Sequence, residues 1–414
     1  MSHSPPTTQS ASDHDGQPGW RRDFTVLWFA QFCAITGFSL ALPFLPLYAR
    51  TLGVESPTEA ALWAGAMSST GGLLMAFMAP VWGVMADRYG RKPMVTRSML
   101  GAGVFIVGMA FVNDVRQLFA LRAVQGIFSG TVPAARLLAA SVVPSSRLGQ
   151  SMGLMATAQF MANSFGPFIG GLLVEQFGYG PSFIVTGALL LFSASVVFFF
   201  VREKFTPTTT GGSRGRFVFD PRALLGTPRL AAILLVMLAV NMAQFSIGPI
   251  LPLYVETIAG PDEPVARTVG LILGAAAISS AVAASVGGRL GDRIGHRRVL
   301  LYASLAAGIL YLPQAMAQSP LQLLIARAAS GAFVGAIIPV GMARVALITP
   351  IDRRGYVFGL TTTVTTLGNA AGPMLGAGIA AQFGFRASFV FMAVAVVASA
   401  LWAMRTDRAD DATG

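Results

Sequence analysis

Arg122, Arg136, Arg327 and Arg344 stand inside long apolar stretches of this 414-residue chain, and no Asp or Glu lies near the middle of any such stretch. A guanidinium in hydrocarbon costs about 2.5 kcal/mol or more, so each must face a protein interior or a watery cavity. Arg122 and Arg327 can bond carbonyls and glue helices together. Arg136 and Arg344 can bind an anionic group, or they can snorkel to the cytoplasmic surface along the apolar stem. Covalent chemistry has no candidates. His3, His14 and His296 are scattered, Cys33 is the single cysteine, and no Walker loop provides for ATP hydrolysis. Neither an enzyme, a metal site nor a cofactor is expected.

A second set of residues occurs twice. GVMADRYGRK, Gly83 to Lys92, returns degenerately as GRLGDRIGHR, Gly288 to Arg297, 205 residues on. Each copy lies between apolar runs and reads as a short loop joining two helices. The residues that mark the stretch are Gly83, Asp87, Arg88, Gly90, Arg91 and Lys92, with Gly288, Asp292 and Arg293 as the second copy. A glycine lets two helices approach closely. Asp87, at a membrane face, can pair with Arg88 or Arg91 or accept from a helix N-terminus. The register holds elsewhere: LPFLPLY at Leu42–Tyr48 returns as GPILPLY at Gly248–Tyr254, and LRAVQGIFSG with Arg122 returns as ARAASGAFVG with Arg327. Pro133 matches Pro339, and GPFIGG from Gly166 matches GPMLGAG from Gly372. Chance does not hold one register over six helices.

The elements that carry these residues follow from composition. With 54% hydrophobic and 11% charged residues, the chain is not a soluble domain. Apolar runs of about 20 residues recur along nearly its whole length, and they are continuous rather than alternating, which predicts helices and not a β-barrel. Twelve spans are placed at 24–48, 60–85, 96–113, 117–143, 150–173, 182–201, 229–255, 268–288, 298–317, 320–347, 355–381 and 387–404. The predicted fold is an all-α membrane protein, two pseudo-symmetric six-helix bundles at 23–201 and 229–405. A polar, basic linker at 202–228 joins them, with tails at 1–22 and 406–414. The first tail lacks the basic and apolar regions of a secretory signal and reads as disordered.

The net charge of +11 reflects topology rather than a nucleic-acid partner. With a cytoplasmic amino terminus, only Arg50, Arg116, Arg267 and Arg386 fall on the far side, and four arginines fall inside spans. The remaining Lys and Arg are cytoplasmic, so both termini and the linker are expected on that side of the membrane. Six helices repeated in one orientation place the halves about an axis along the membrane normal and predict a central cavity. Amides beside aromatics are the candidate lining: Gln31, Phe32 and Phe38 on the first span, Gln159, Phe160 and Asn163 on the fifth, and Asn241, Gln244 and Phe245 on the seventh. Arg136 and Arg344 join that set. Gly153, Gly166, Pro167, Gly170 and Gly171 make a groove with a possible bend on the fifth span, or simply a close-packed face.

With these motifs in place, residues 20 to 405 resemble a twelve-helix transporter of the major facilitator superfamily. The Gly37-x5-Pro43-x2-Pro46 pattern and Gly166-Pro167 resemble its drug:proton antiporter branch, and FSLALPFLPLY, GVMADRYGRK and VREKF are similar to bacterial multidrug efflux proteins within that branch. The resemblance implies a monomeric exporter of small amphipathic molecules in a bacterial inner membrane, driven by the proton gradient through alternating access. It further implies that the Gly83–Lys92 stretch and its second copy are gating residues, with Asp87 latching against the eleventh helix in the outward-facing state, that Arg122 assists proton coupling, and that the Gly-Pro fifth helix belongs to antiporters. One feature departs from the pattern. Without a mid-span acid, the candidate proton groups reduce to Asp87, Glu175 and Glu256, all near a surface. That favours neutral, zwitterionic or anionic amphiphiles, and it leaves open an importer or exchanger of organic anions that uses the cavity arginines.

Overall fold

The computed structural model describes residues 19–205 and 228–411; the amino-terminal tail to residue 18, the bulk of the predicted linker and the last three residues lie outside them. The described residues fold as helices that make twelve passes. Trp20–Ala41, a 3-10 turn at Leu42–Phe44 and Leu45–Thr51 form the first pass, and Pro57–Tyr89 and Arg91–Met109 the second and third. The fourth is split into Val115–Phe128 and Thr131–Val142; Leu148–Phe177 and Tyr179–Phe200 complete the first bundle. The second bundle runs through Pro228–Ile258, Val265–Ile294, His296–Ile309 with Tyr311–Met316, Pro320–Ile348, Arg354–Phe383 and Phe385–Asp411. Eight passes are individually long and apolar enough to cross a bilayer. The other four are the third, with Arg91, Lys92 and Arg97, the fourth, with Arg122, Arg136 and a helix break at Gly130, and the fifth and eleventh, with their amides and threonines.

The two bundles repeat each other in detail. Tyr48 donates to the Met109 carbonyl at 2.9 Å, and Tyr254, its equivalent, donates to Ala317 at 2.9 Å and Ala315 at 3.2 Å. Tyr48 packs on Phe183 with ring centroids 5.0 Å apart, as Tyr254 packs on Phe389 at 5.4 Å. Each LPLY tyrosine thus ties the end of one pass to two others. Tyr254→Phe is expected to lose about 1–3 kcal/mol, because two buried carbonyls lose their shared donor, and a lowered thermal unfolding midpoint checks this.

Two expectations need correction. The stretch Gly83–Tyr89 is not a loop: the second helix continues through Tyr89, and the turn is Gly90 alone, at φ 98°. The second copy behaves alike, with helix through Ile294 and the turn at Gly295, φ 95°. Polar residues propagate an established helix readily, and only a glycine at positive φ ends it. The fourth span breaks at Gly130, φ 118°, whereas the tenth runs unbroken through Pro339. Its equivalent in the LRAVQGIFSG/ARAASGAFVG register, 205 residues on, is Gly335, which stays helical and serves a close crossing instead, since a Cβ there would strike the Ser280 carbonyl of the eighth helix.

Close approaches between the bundles cluster toward the face that carries the 52–56 and 259–264 connections, called the far face below; the opposite one, near Trp20 and the end of the twelfth helix, is the terminal face. At the far face the fifth helix crosses the eighth and the second crosses the eleventh. A Cβ on Gly171 would lie 2.5 Å from the Ala266 carbonyl, and one on Gly65 2.7 Å from the Ala377 side chain. One on Gly270 would run into the Pro167 carbonyl. The Met374 N–H donates to Ser69 Oγ at 3.1 Å across the same contact. Toward the terminal face, Cβ atoms on Gly83, Gly288 and Gly355 would meet nothing within 4 Å. The bundles therefore meet at the far face and splay at the terminal face.

Candidate functional site: a central cavity between two bundles

A cavity of about 380 Å³ lies between the bundles, lined by Ser39, Asn163, Pro167, Gln244, Phe245 and Arg327 among others. The fifth helix reaches it because Gly166 and Gly170 have no side chains. A Cβ at Gly166 would strike Ser39, and one at Gly170 the Leu40 carbonyl, so only glycine lets the first and fifth helices meet here. Ser39 Oγ and Asn163 Oδ1 are 2.8 Å apart, with the hydroxyl donating. The second bundle repeats the device, with Gly372 against Met242 and Gly376 against Ser246 on the seventh helix. Gly171 faces the other way, onto the eighth helix, so one motif packs within its bundle and across to its partner. Gly153 packs against nothing within 4 Å and takes no part in this contact.

Arg327 is the charged group of the cavity. It is 7% exposed, its Nη2 donates to Gln244 Oε1 at 3.1 Å, and its Nε is buried without a partner. No acid lines this space. Arg122, its repeat equivalent, is placed differently: it lies between the fourth and second helices, donates to Gln125 Oε1 and has Gly71 within van der Waals reach. Gln125 Nε2 continues the chain to Ser129 Oγ at 2.8 Å. Arg136 donates to Gln159 Oε1 at 2.9 Å on an exposed surface nearer the terminal face, and Phe160 is exposed beside it. Arg344 is half-buried on the tenth helix.

Other expected lining residues do not converge on this cavity. Phe38 lines an adjoining space of about 320 Å³ that shares Ser39, Pro43 and Leu273 with it. Gln31 is 1% exposed inside the first bundle, and Phe32 stacks on Trp28 at 5.9 Å. Asn241 donates to the Met237 carbonyl one turn back and packs beside Gly368 of the eleventh helix. The cost of an amide in lipid excludes the lipid face, but it does not choose between a bundle interior and a cavity.

In the candidate gating stretch, Asp87 is exposed and makes no hydrogen bond or ion pair among the described residues. Arg88 lies over Tyr89 at 5.3 Å, and Asp292 is 3.5 Å from the His296 ring. Two charged contacts escaped the sequence reading. The Arg91 and Lys92 N–H groups donate to Glu203 at 2.9 and 2.8 Å. At the far face Arg50 Nη2 meets Glu256 Oε1 at 3.4 Å, joining the first pass to the seventh. Glu175, the other surface acid, is exposed. A signal for the far-face pair was present: residues 50 and 256 are repeat equivalents, and equivalent positions of a two-fold assembly meet on its axis.

Two bundles of six helices in parallel repeat, closed at one face around a mid-depth cavity, define a secondary transporter of the rocking type. The chain belongs to the Major Facilitator Superfamily, whose model matches residues 27–268 and again 264–413. It is 38% identical over 386 residues to the multidrug resistance protein MdtG of Yersinia enterocolitica, covering 92% of each chain. With MdtG of Salmonella typhimurium the identity is 34% over 398 residues, 96% of this chain and 98% of the other. The fold is also that of the nucleoside transporter NupG, at a TM-score of 0.76, 14% identity and coverage of 93% and 99%. A bacterial homologue of the lysosomal transporter Spinster superposes with a TM-score of 0.73, 15% identity and coverage of 95% and 98%.

Proposed function

We propose that the protein is a secondary active exporter of amphipathic drugs or related small molecules, monomeric, in the cytoplasmic membrane with both termini cytoplasmic. The observation that carries this reading is the cavity of amides, an aromatic ring and Arg327, sealed at the far face by glycine crossings while the bundles splay at the terminal face. The Lys and Arg bias supports a cytoplasmic terminal face, and on that reading the structure is the state that loads from inside. Export then follows from rocking the bundles, which parts the fifth–eighth and second–eleventh crossings and brings the Gly83–Lys92 stretch against the eleventh helix. Likeness to MdtG multidrug resistance proteins supports the substrate class. Proton antiport is the proposed drive, with Asp87 as gate and Arg122 supporting coupling.

A second reading, carriage of organic anions, is favoured by the deeply buried Arg327 in a cavity without an acid. One experiment separates the two. Purified protein in liposomes with an internal pH dye, under an imposed proton gradient, is challenged with lipophilic drugs and with organic anions. Drug-triggered proton entry, lost at least tenfold in Asp87→Asn, is the expected result. Silence with drugs, together with uptake of an organic anion that Arg136→Ala or Arg327→Gln abolishes, overturns export in favour of the anion carrier.

A further inference from the structure

The turn that ends the candidate gating stretch is bonded to a residue outside that stretch. The third helix starts at Arg91, directly after Gly90, and its first N–H groups have no partner within the helix. The Glu203 carboxylate accepts from two of them, Arg91 N at 2.9 Å and Lys92 N at 2.8 Å, where the helix dipole also favours an anion. Gly90 has to be glycine twice over. Its φ is 98°, and a Cβ there would lie 2.9 Å from Glu203 Oε2 and 3.4 Å from the Phe205 ring. Lys92 Nζ lies 5.5 Å from the Phe198 ring, so the end of the sixth helix contacts the turn a second time. The end of the second helix, the start of the third and the end of the sixth thus meet at one carboxylate. Asp87 sits three residues before that turn, on the last stretch of the second helix. The second copy is held otherwise: Asp292 faces His296, and a Cβ on Gly291 would lie 2.9 Å from that ring.

We propose that Glu203 is the positioning residue of the gate, clamping the Gly90 turn so that Asp87 is presented to the eleventh helix when the terminal face closes. The proposal rests on the gate reading of the Gly83–Lys92 stretch. The eleventh-helix partner is reached only on rocking, so the clamp acts before the latch forms, by fixing where the second helix ends.

The test reads conformation and needs no substrate. Spin labels are placed at V84C and I351C, both well exposed at the terminal face (64% and 81%), in full-length protein with Cys33→Ser, reconstituted in lipid. Electron–electron distance distributions give the ratio of narrow to wide terminal-face populations. Asp87→Asn is expected to lower the narrow fraction at least fivefold, and Glu203→Ala at least threefold with the wide distance unchanged. The double variant is expected to match Asp87→Asn alone, since both act through one turn. Glu203→Gln, which keeps one acceptor, should fall between wild type and Ala and serves if the Ala variant does not fold. If Asp87→Asn shifts nothing, the gate reading fails. If Asp87→Asn shifts the ratio and Glu203→Ala and →Gln do not, or their effects add to it, Glu203 is only a helix cap and the proposal is overturned.

Discussion

Arg50→Glu should release the far face. Arg50 and Glu256 are 27% and 33% exposed, so their pair lies between a solvated surface bridge, worth about 1 kcal/mol or less, and a buried one, whose breakage costs about 3–5 kcal/mol. Two carboxylates at that contact are expected to cost the closed far face about 2 kcal/mol, or roughly thirtyfold in its population. The pair joins the first pass to the seventh and so exists only while that face is shut. The measurement is a labelled distance across the far face, which lengthens in Arg50→Glu. Glu256→Arg should do the same. The double exchange, Arg50→Glu with Glu256→Arg, restores the pair with reversed sign and should bring the short distance back. Failure of the exchange to restore it would mean that the charges matter singly and that the contact is incidental.

Gly170→Val and Gly171→Val should part company although the residues are neighbours. A Cβ at Gly170 would run into the Leu40 carbonyl within the first bundle, a contact present in any rocking state. Overpacking of that kind costs about 1–3 kcal/mol, so Gly170→Val is expected to lower the thermal midpoint and the yield of folded protein. At Gly171 the clash is with Ala266 of the other bundle and vanishes when the bundles part. The same energy then enters the conformational equilibrium and not the folding one. Gly171→Val should therefore open the far face by tenfold or more, at nearly wild-type stability. Equal losses of stability in both variants would contradict the division of the motif into inward-packing and cross-bundle glycines.

How much was legible in sequence depends on the physics behind each feature. The passes were readable because about 20 apolar residues are needed to cross hydrocarbon, and the structure extends most of them by only a few residues at their ends. The repeat was readable because Tyr48 and Tyr254, or Gly166 and Gly372, perform the same packing in both halves. The helical run from Gly83 to Tyr89 was not, since polar residues outside the membrane look like loop whether or not they are wound. The break at Gly130 was not, because its equivalent Gly335 is also a glycine and yet stays helical, so the residue type alone does not tell a break from a close crossing. Arg50, Glu256 and Glu203 looked like ordinary surface charges, because their roles come from the partner that the fold brings and not from their own spacing. Arg122 and Arg327 are equals in sequence, yet one bonds within its own pass and the other lines the cavity.

The account turns on two bundles that close one face as they open the other. Labels at V84C and I351C report the terminal face, and labels at E55C and D262C, exposed in the far-face connections, report the other. Both pairs are read in the Cys33→Ser background under a series of conditions, including Arg50→Glu and Gly171→Val. The account predicts opposed changes: whatever lengthens the far-face distance shortens the terminal-face distance by converting the same molecules. Distances that change together, or a far face that opens while the terminal face stays wide, would contradict it.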